Sequence, residues 1–160
     1  MAKELTALGD RLLGRWQRLS AWPGGKWLFS FLLARQIPYT GSISARICEL
    51  APGRARVKLQ DRHKIRNHLN SIHAIALMNL GELTTGLALL TGLKPGVRGI
   101  ITGLSIEYLK KARGSLIAES STLQPEVTED IEHEVIAEIK DLEGDVVARC
   151  TAHWRLGLIP

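Results

Sequence analysis

The chain has 160 residues, 45% of them hydrophobic, and a mean hydropathy of +0.02. That is long enough for one domain with a sizeable core and too apolar for a disordered chain. The net charge of +5 is concentrated at one end. Residues 1–36 carry six basic side chains (Lys3, Arg11, Arg15, Arg18, Lys26 and Arg35) against Glu4 and Asp10, and the rest of the chain is nearly balanced. With no basic bias on the main domain, the composition argues against a nucleic-acid partner.

Residues 3–20 place Leu5, Leu8, Leu12, Trp16 and Leu19 at three- and four-residue steps. This period predicts an amphipathic helix with Arg11, Arg15 and Arg18 on its other face. Trp22-Pro23-Gly24-Gly25 breaks it, and a second helix is expected over about 25–35, carrying Trp27, Phe29 and Phe31. The arm 1–36 reads as a helical hairpin that packs on the domain or on a second subunit. Basic and aromatic residues together also suit peripheral contact with a membrane surface. Trp27–Ala34 is far short of the roughly 20 residues a membrane span needs, and the charged first twenty residues do not read as a leader. Cys48 and Cys150 have no metal-ligand spacing and fit reduced thiols, so a cytoplasmic location and no metal are expected.

From Ile37 the period changes to two, opening a second domain over 37–160. Ile43, Ala45 and Ile47 alternate with polar residues, Ala51-Pro52-Gly53 turns, and Ala55, Val57 and Leu59 alternate again. This predicts a hairpin with a basic outer face. Residues 67–92 form the longest apolar run and predict a helix buried nearly all round. Ser71 is the expected N-cap and Gly92 the expected left-handed C-terminal residue. Four more strands are expected at 97–109, 115–123, 132–141 and 146–157, joined by Ala112-Arg113-Gly114, an acidic loop and Glu143-Gly144-Asp145. Hairpin, long helix and antiparallel meander make an α+β layout. One sheet leaves such a helix incompletely covered, so a dimer is expected.

Glu82 is the single charge inside the long helix, with no acid or base three or four residues away to pair with. It is either a paired or exposed helix glutamate, or a carboxylate held for work as base or nucleophile. Asn67, His68, Asn70, Ser71 and His73 precede it at the helix start, where backbone amides can hold a developing oxyanion. Capping and turn roles are the plain alternative for each. His63, His68 and His73 are five residues apart, which does not make a zinc pair on one helix face. Two basic clusters remain, 54–66 and Lys94 to Arg113, either solvated faces or phosphate contacts.

The order of elements resembles the hotdog fold, an antiparallel sheet wrapped around one central helix. The spacing of Asn67, His73 and Glu82 resembles the PaaI-type acyl-CoA thioesterases of that fold, as does Ser105–Gly114 with their third strand and turn. The similarity covers about 40–157 and leaves the helical arm outside. It implies an acyl-CoA substrate at the boundary of a homodimer, or of a dimer of dimers, with CoA as part of the substrate and no separate cofactor. Glu82 would activate water or attack the thioester, and Asn67 would reach in from the facing subunit. Amides near His73 and Ala74 would polarise the carbonyl. Thr85 and Thr102 would line the substrate, and Lys110, Lys111 and Arg113 would meet the CoA phosphates. The chain departs from the pattern in three places: Ala74-Ile75 replaces Gly-Gly, the acid is Glu where Asp is commoner, and the serine or threonine that often completes the site on the third strand has no clear match, Thr102 being only near it. These changes fit an altered substrate, or a protein that binds acyl groups without hydrolysing them.

Overall fold

The computed structural model describes residues 7–159; Lys3, Glu4 and Leu5 of the expected first helix lie outside them. Three helices lead the chain: α1 (Ala7–Ser20), α2 (Gly25–Gln36) and the single turn α3 (Pro38–Gly41). The hairpin β1 (Arg46–Ala51) and β2 (Arg54–Leu59) follows, then the long helix α4 (Ala74–Leu90). The chain closes with β3 (Val97–Tyr108), β4 (Leu116–Ser121), β5 (Ile131–Lys140) and β6 (Val146–Leu158). The six strands form one antiparallel sheet in the order β1-β2-β4-β5-β6-β3.

α4 is apolar on most of its surface and packs across one face of this sheet. Leu77, Leu80, Leu83, Leu87 and Ala88 join Val57, Leu59, Leu116, Ala118 and Ile139 in the main core. Gly81 lets the helix settle directly on β6. A Cβ at Gly81 would overlap the side chain of Cys150. The opposite sheet face is polar and laced with ion pairs, among them Arg56–Glu119 at 3.1 Å, Arg149–Glu138 at 3.1 Å and Arg155–Glu132 at 3.0 Å. Strand alternation read from the sequence is thus the division between helix side and solvent side.

The two sheet edges are treated differently. At β1, α2 covers the edge: the Ile47 amide donates to Ser30 Oγ at 2.9 Å, and Lys26 Nζ donates to the Cys48 carbonyl at 2.8 Å. The hairpin packs on its own domain, because Leu12, Trp16, Phe29 and Leu33 belong to the main core, with Trp16 and Phe29 edge to face at 5.2 Å. The β3 edge is twelve residues long and open. Ile100, Leu104 and Tyr108 on it are 55%, 38% and 49% exposed. A long, open, apolar edge strand is a template for pairing with another chain.

Three local expectations are corrected. The stretch after Ile37 begins with α3 rather than extended chain, because Pro38 suits a first helical position. α4 starts at Ala74, and its cap is His73, whose Nδ1 accepts from the Ile75 amide at 3.1 Å. Ser71 cannot cap it. Asn70 has φ of 55°, and the Ile72 amide is bound to the Ala112 carbonyl at 2.8 Å, so the chain is still loop there. At the far end, Gly92 is not among the residues with positive φ. Thr91 ends the helix, its Oγ1 donating to the Leu87 carbonyl at 2.7 Å and reaching that of Ala51 at 3.0 Å. A side chain at Gly92 would overlap Gln124, so the glycine serves close packing rather than backbone conformation.

Candidate active site

Three α4 residues escape full burial on one stripe: Ile75, Met78 and Glu82, at helical spacing of three and four. This stripe lies beside the open edge. Tyr108 Oη donates to the Ala74 carbonyl at 3.1 Å. Gly81 rests on Cys150, and Cys150 is paired with Ile106 of β3. Leu104, Ile106 and Tyr108 stand opposite Ala152, Cys150 and Ala148 in register, so they share the helix side of the sheet. Glu82 thus sits on the partly exposed margin of α4, beside the apolar helix side of the open β3 edge.

The Glu82 carboxylate is half-buried and has no hydrogen-bond or ion-pair partner among the described residues. Burial pushes its carboxyl above the ordinary glutamate value. Beneath it, Cys150 is buried, its thiol pushed up to about 11 first by burial and then by the Glu82 charge. Tyr108 is also raised, by burial and by Cys150. A carboxylate in this setting holds a proton more readily than one in water.

The other site candidates gather at the entry to α4. Asn67 Oδ1 accepts from the amides of Leu69 (3.0 Å) and Ser71 (3.2 Å), closing a tight turn. His73 caps the helix through Nδ1, so its proton sits on the outward Nε2. The His73 amide is taken by the Ile65 carbonyl at 2.8 Å, which leaves Ala74 as the amide nearest the expected oxyanion position. Arg113 reaches the Leu69 carbonyl at 3.4 Å, and Asp61 ties this loop to the basic turn through Arg66 (2.7 Å) and the Gly114 amide (2.9 Å). Arg113 and Asn67 are therefore neighbours. Glu82 is not: eight residues along α4 from Ala74, it lies roughly 12 Å away along the axis.

The remaining candidates stand apart. Lys110 Nζ is enclosed by Asp141 (2.7 Å), Asp145 (2.8 Å) and Glu143 (3.4 Å). These carboxylates lift its pKa, and its charge is already matched. The same lysine fills the middle of the one acidic cluster that could otherwise be read as a cation cage among the described residues. Lys111 stays exposed at the turn. Thr85 is fully buried, its hydroxyl turned onto the Gly81 and Glu82 carbonyls at 2.9 and 3.0 Å, and so is closed off from the exposed margin that carries Glu82. Thr102 is the extra residue of a β3 bulge between Ile101 and Gly103 and donates to the His153 carbonyl at 3.2 Å. Tyr108 and Cys150 were missed by sequence reasoning. Only the alternation of β6 hinted that Cys150 faces the helix, and nothing local placed it under Glu82.

A protein-family model described as a domain of unknown function, DUF4442, matches residues 25–156. The chain belongs to the DUF4442 family. The match starts at the first residue of α2, so the second arm helix falls inside the family's extent. No curated protein matches. Among solved structures, the structural-genomics protein APC5556 is 27% identical with a TM-score of 0.81, covering 96% of this chain and 100% of its own. PA5026 of Pseudomonas aeruginosa, described as a probable thioesterase, is 22% identical with a TM-score of 0.73, over 80% of this chain and 92% of its own. A hypothetical thioesterase of Streptococcus pneumoniae, solved with coenzyme A, is 19% identical with a TM-score of 0.64, over 79% and 99%. This DUF4442 chain has the hotdog fold, as the order of its elements implied.

Proposed function

We propose that the protein is a thioester hydrolase acting on acyl-CoA at the boundary between two copies of the chain. The observation that carries this reading is Glu82, a carboxylate with a raised pKa and no partner among the described residues, on the margin of α4 beside an open, apolar edge strand. Two β3 edges pairing would extend the sheet and cover Leu104 and Tyr108. The separation of Glu82 from Asn67 and Ala74 within one chain argues for a site shared by two copies. Glu82 of one copy then works with Asn67 and the Ala74 amide of the other.

In the reaction, a Glu82 carboxylate oxygen takes a proton from water. The water oxygen bonds to the thioester carbonyl carbon, and the carbonyl electron pair moves to its oxygen, where the Ala74 amide donates to it. Collapse of the tetrahedral species breaks the carbon–sulfur bond, and CoA leaves as a thiolate that takes up a proton. The acyl chain lies against Met78, Ile106 and Leu104. Arg113 and Lys111, beside the helix entry, are the cations placed for phosphate groups. The coenzyme A in the Streptococcus pneumoniae relative supports this ligand class.

A second reading is acyl-CoA binding without turnover. It is favoured by Ile75, 53% exposed where the resembled family has glycine, and by the loss of the His73 amide to Ile65. CoA release from acyl-CoAs of graded chain length, run beside equilibrium binding, separates the two. Hydrolysis of any of them that falls at least a hundredfold in Glu82→Gln supports the hydrolase. Saturable binding with no CoA release supports the binder and removes the hydrolase.

A further inference from the structure

The outer sheet face matches most of its cations with acids. Arg54 and Arg56 meet Glu49, and Arg56 also meets Glu119. Lys140 meets Glu119 and Glu138, and Arg149 meets Glu138 and Glu107. Arg46 and Lys58 stand directly opposite one another across β1 and β2, and neither has an ion-pair partner among the described residues. Like charges in that position are destabilising. They face a cavity of about 410 Å³ between the hairpin and α2. Arg62 reaches the same cavity, its guanidinium held by the Ile43 carbonyl at 2.7 Å. No acidic residue lines it. Three cations converge on an open, uncompensated space.

The cavity wall on the α2 side is apolar. Trp27 and Phe31 stack there at 5.5 Å, nearly parallel, and both are largely exposed. α2 has two apolar faces. Phe29 and Leu33 point into the core, while Trp27, Leu28, Phe31 and Leu32 point out, with Trp22 beside them at 74% exposure. Basic side chains border this outward face: Arg35 lies over Phe31 at 5.8 Å, and Arg15 and Arg18 flank Leu32. A soluble phosphate ligand would explain the three cations but not the outward aromatic face. An exposed aromatic and aliphatic helix face with a basic border fits the interfacial layer of an anionic bilayer, where aromatic rings settle and cations meet headgroups. No described helix is long and apolar enough to cross a membrane, so contact is with the surface.

We propose that this corner docks the protein on an anionic membrane. The cavity receives the phosphate of one anionic phospholipid through Arg46, Lys58 and Arg62, and Trp22, Trp27, Leu28, Phe31 and Leu32 rest in the interfacial layer. This does not rest on the thioester reading. β1 and β3 are the opposite edges of the sheet, so docking leaves the β3 edge free for a second copy.

The test is flotation of the full chain with phosphatidylcholine vesicles, with and without phosphatidylglycerol, read also by tryptophan emission. The wild type is expected to float with the anionic vesicles only, with a blue shift. Arg46→Gln/Lys58→Gln should weaken binding about 25-fold, roughly fivefold per cation. Trp27→Ala/Phe31→Ala should reduce the blue shift, leaving Trp22 as the remaining reporter, and weaken flotation. Arg155→Gln, which removes an outer-face charge away from the cavity, should leave binding unchanged. Circular dichroism melts confirm that each variant folds. All four sites are exposed or half-buried, and either single Gln variant can replace a double variant that does not fold. Absence of wild-type binding to anionic vesicles overturns the proposal. So does an equal loss in Arg155→Gln, which would mean diffuse charge. Binding of inorganic phosphate or ADP at the cavity without vesicle binding overturns it as well, in favour of a soluble ligand.

Discussion

Glu82→Gln should stabilise the protein while removing its proposed activity. The wild-type carboxylate is half-buried on the margin of α4 with no partner among the described residues, and burial raises its pKa above the ordinary value of 4.5. A fully buried, unpaired charge costs more than about 3 kcal/mol, and Glu82 is only half-buried, so about 1 kcal/mol is the appropriate scale. Glutamine keeps the shape and removes the charge. For a domain of this size, that gain corresponds to roughly 2 to 4 °C in Tm. The pH dependence fixes the cause. A carboxyl with a raised folded-state pKa binds its proton more tightly in the folded chain than in the unfolded one. Stability from this group is therefore complete below the unfolded value and is lost as pH rises through the folded one. Wild type and Glu82→Gln should melt together near pH 4 and diverge towards neutrality, with the variant higher. Thermal melts by circular dichroism across that range provide the measurement. A variant that melts lower than wild type at neutral pH would mean that the carboxylate has a stabilising partner and is no idle charge held for chemistry.

Three further outcomes follow from the packing. Leu104→Arg, on the helix side of the open edge, should give a monomer by sedimentation with helix content unchanged; a dimer that persists would place the interface elsewhere. Gly81→Ala should cost about 1 to 3 kcal/mol in urea unfolding, because the added methyl meets Cys150, and Cys150→Gly should recover part of the loss. A cost within experimental error would mean that the helix can lift off the sheet. The Cys150 thiol, buried and with its pKa pushed up to about 11, should resist disulfide reagents until unfolding, while the half-buried Cys48 reacts first. Modification of both at equal rates in the folded protein would contradict that environment.

The fold was legible because its signals are periodic. Alternation in 54–59, 132–141 and 146–157 and the long apolar run to Leu90 translate directly into strands facing one helix. The helix ends were less so. A serine before an apolar run is a good cap by type, but the bond from Ile72 to Ala112 and the left-handed Asn70 keep Ser71 in the loop, and a histidine does the capping. Neither constraint is local in sequence. Glu82 stood out as the lone charge in a buried helix, although its setting over Cys150 and beside β3 comes from other strands. Lys110 was read as a free cation because its three acids lie about thirty residues on, at the far end of a different turn. Thr85 was misjudged for a simpler reason: its position is on the buried side of α4, and its hydroxyl bonds back to its own helix. The unpaired corner at Arg46 and Lys58 emerges only when cross-strand register shows which cations have acids and which do not.

The most direct test of Glu82 as the base is the pH profile of kcat/KM for CoA release, measured on the best acyl-CoA with wild type and Glu82→Gln. The wild type should gain activity along an acid limb whose midpoint lies above the ordinary glutamate value, and the variant should lack both the limb and the activity. A variant that keeps wild-type rates and the same limb would contradict a catalytic role for Glu82.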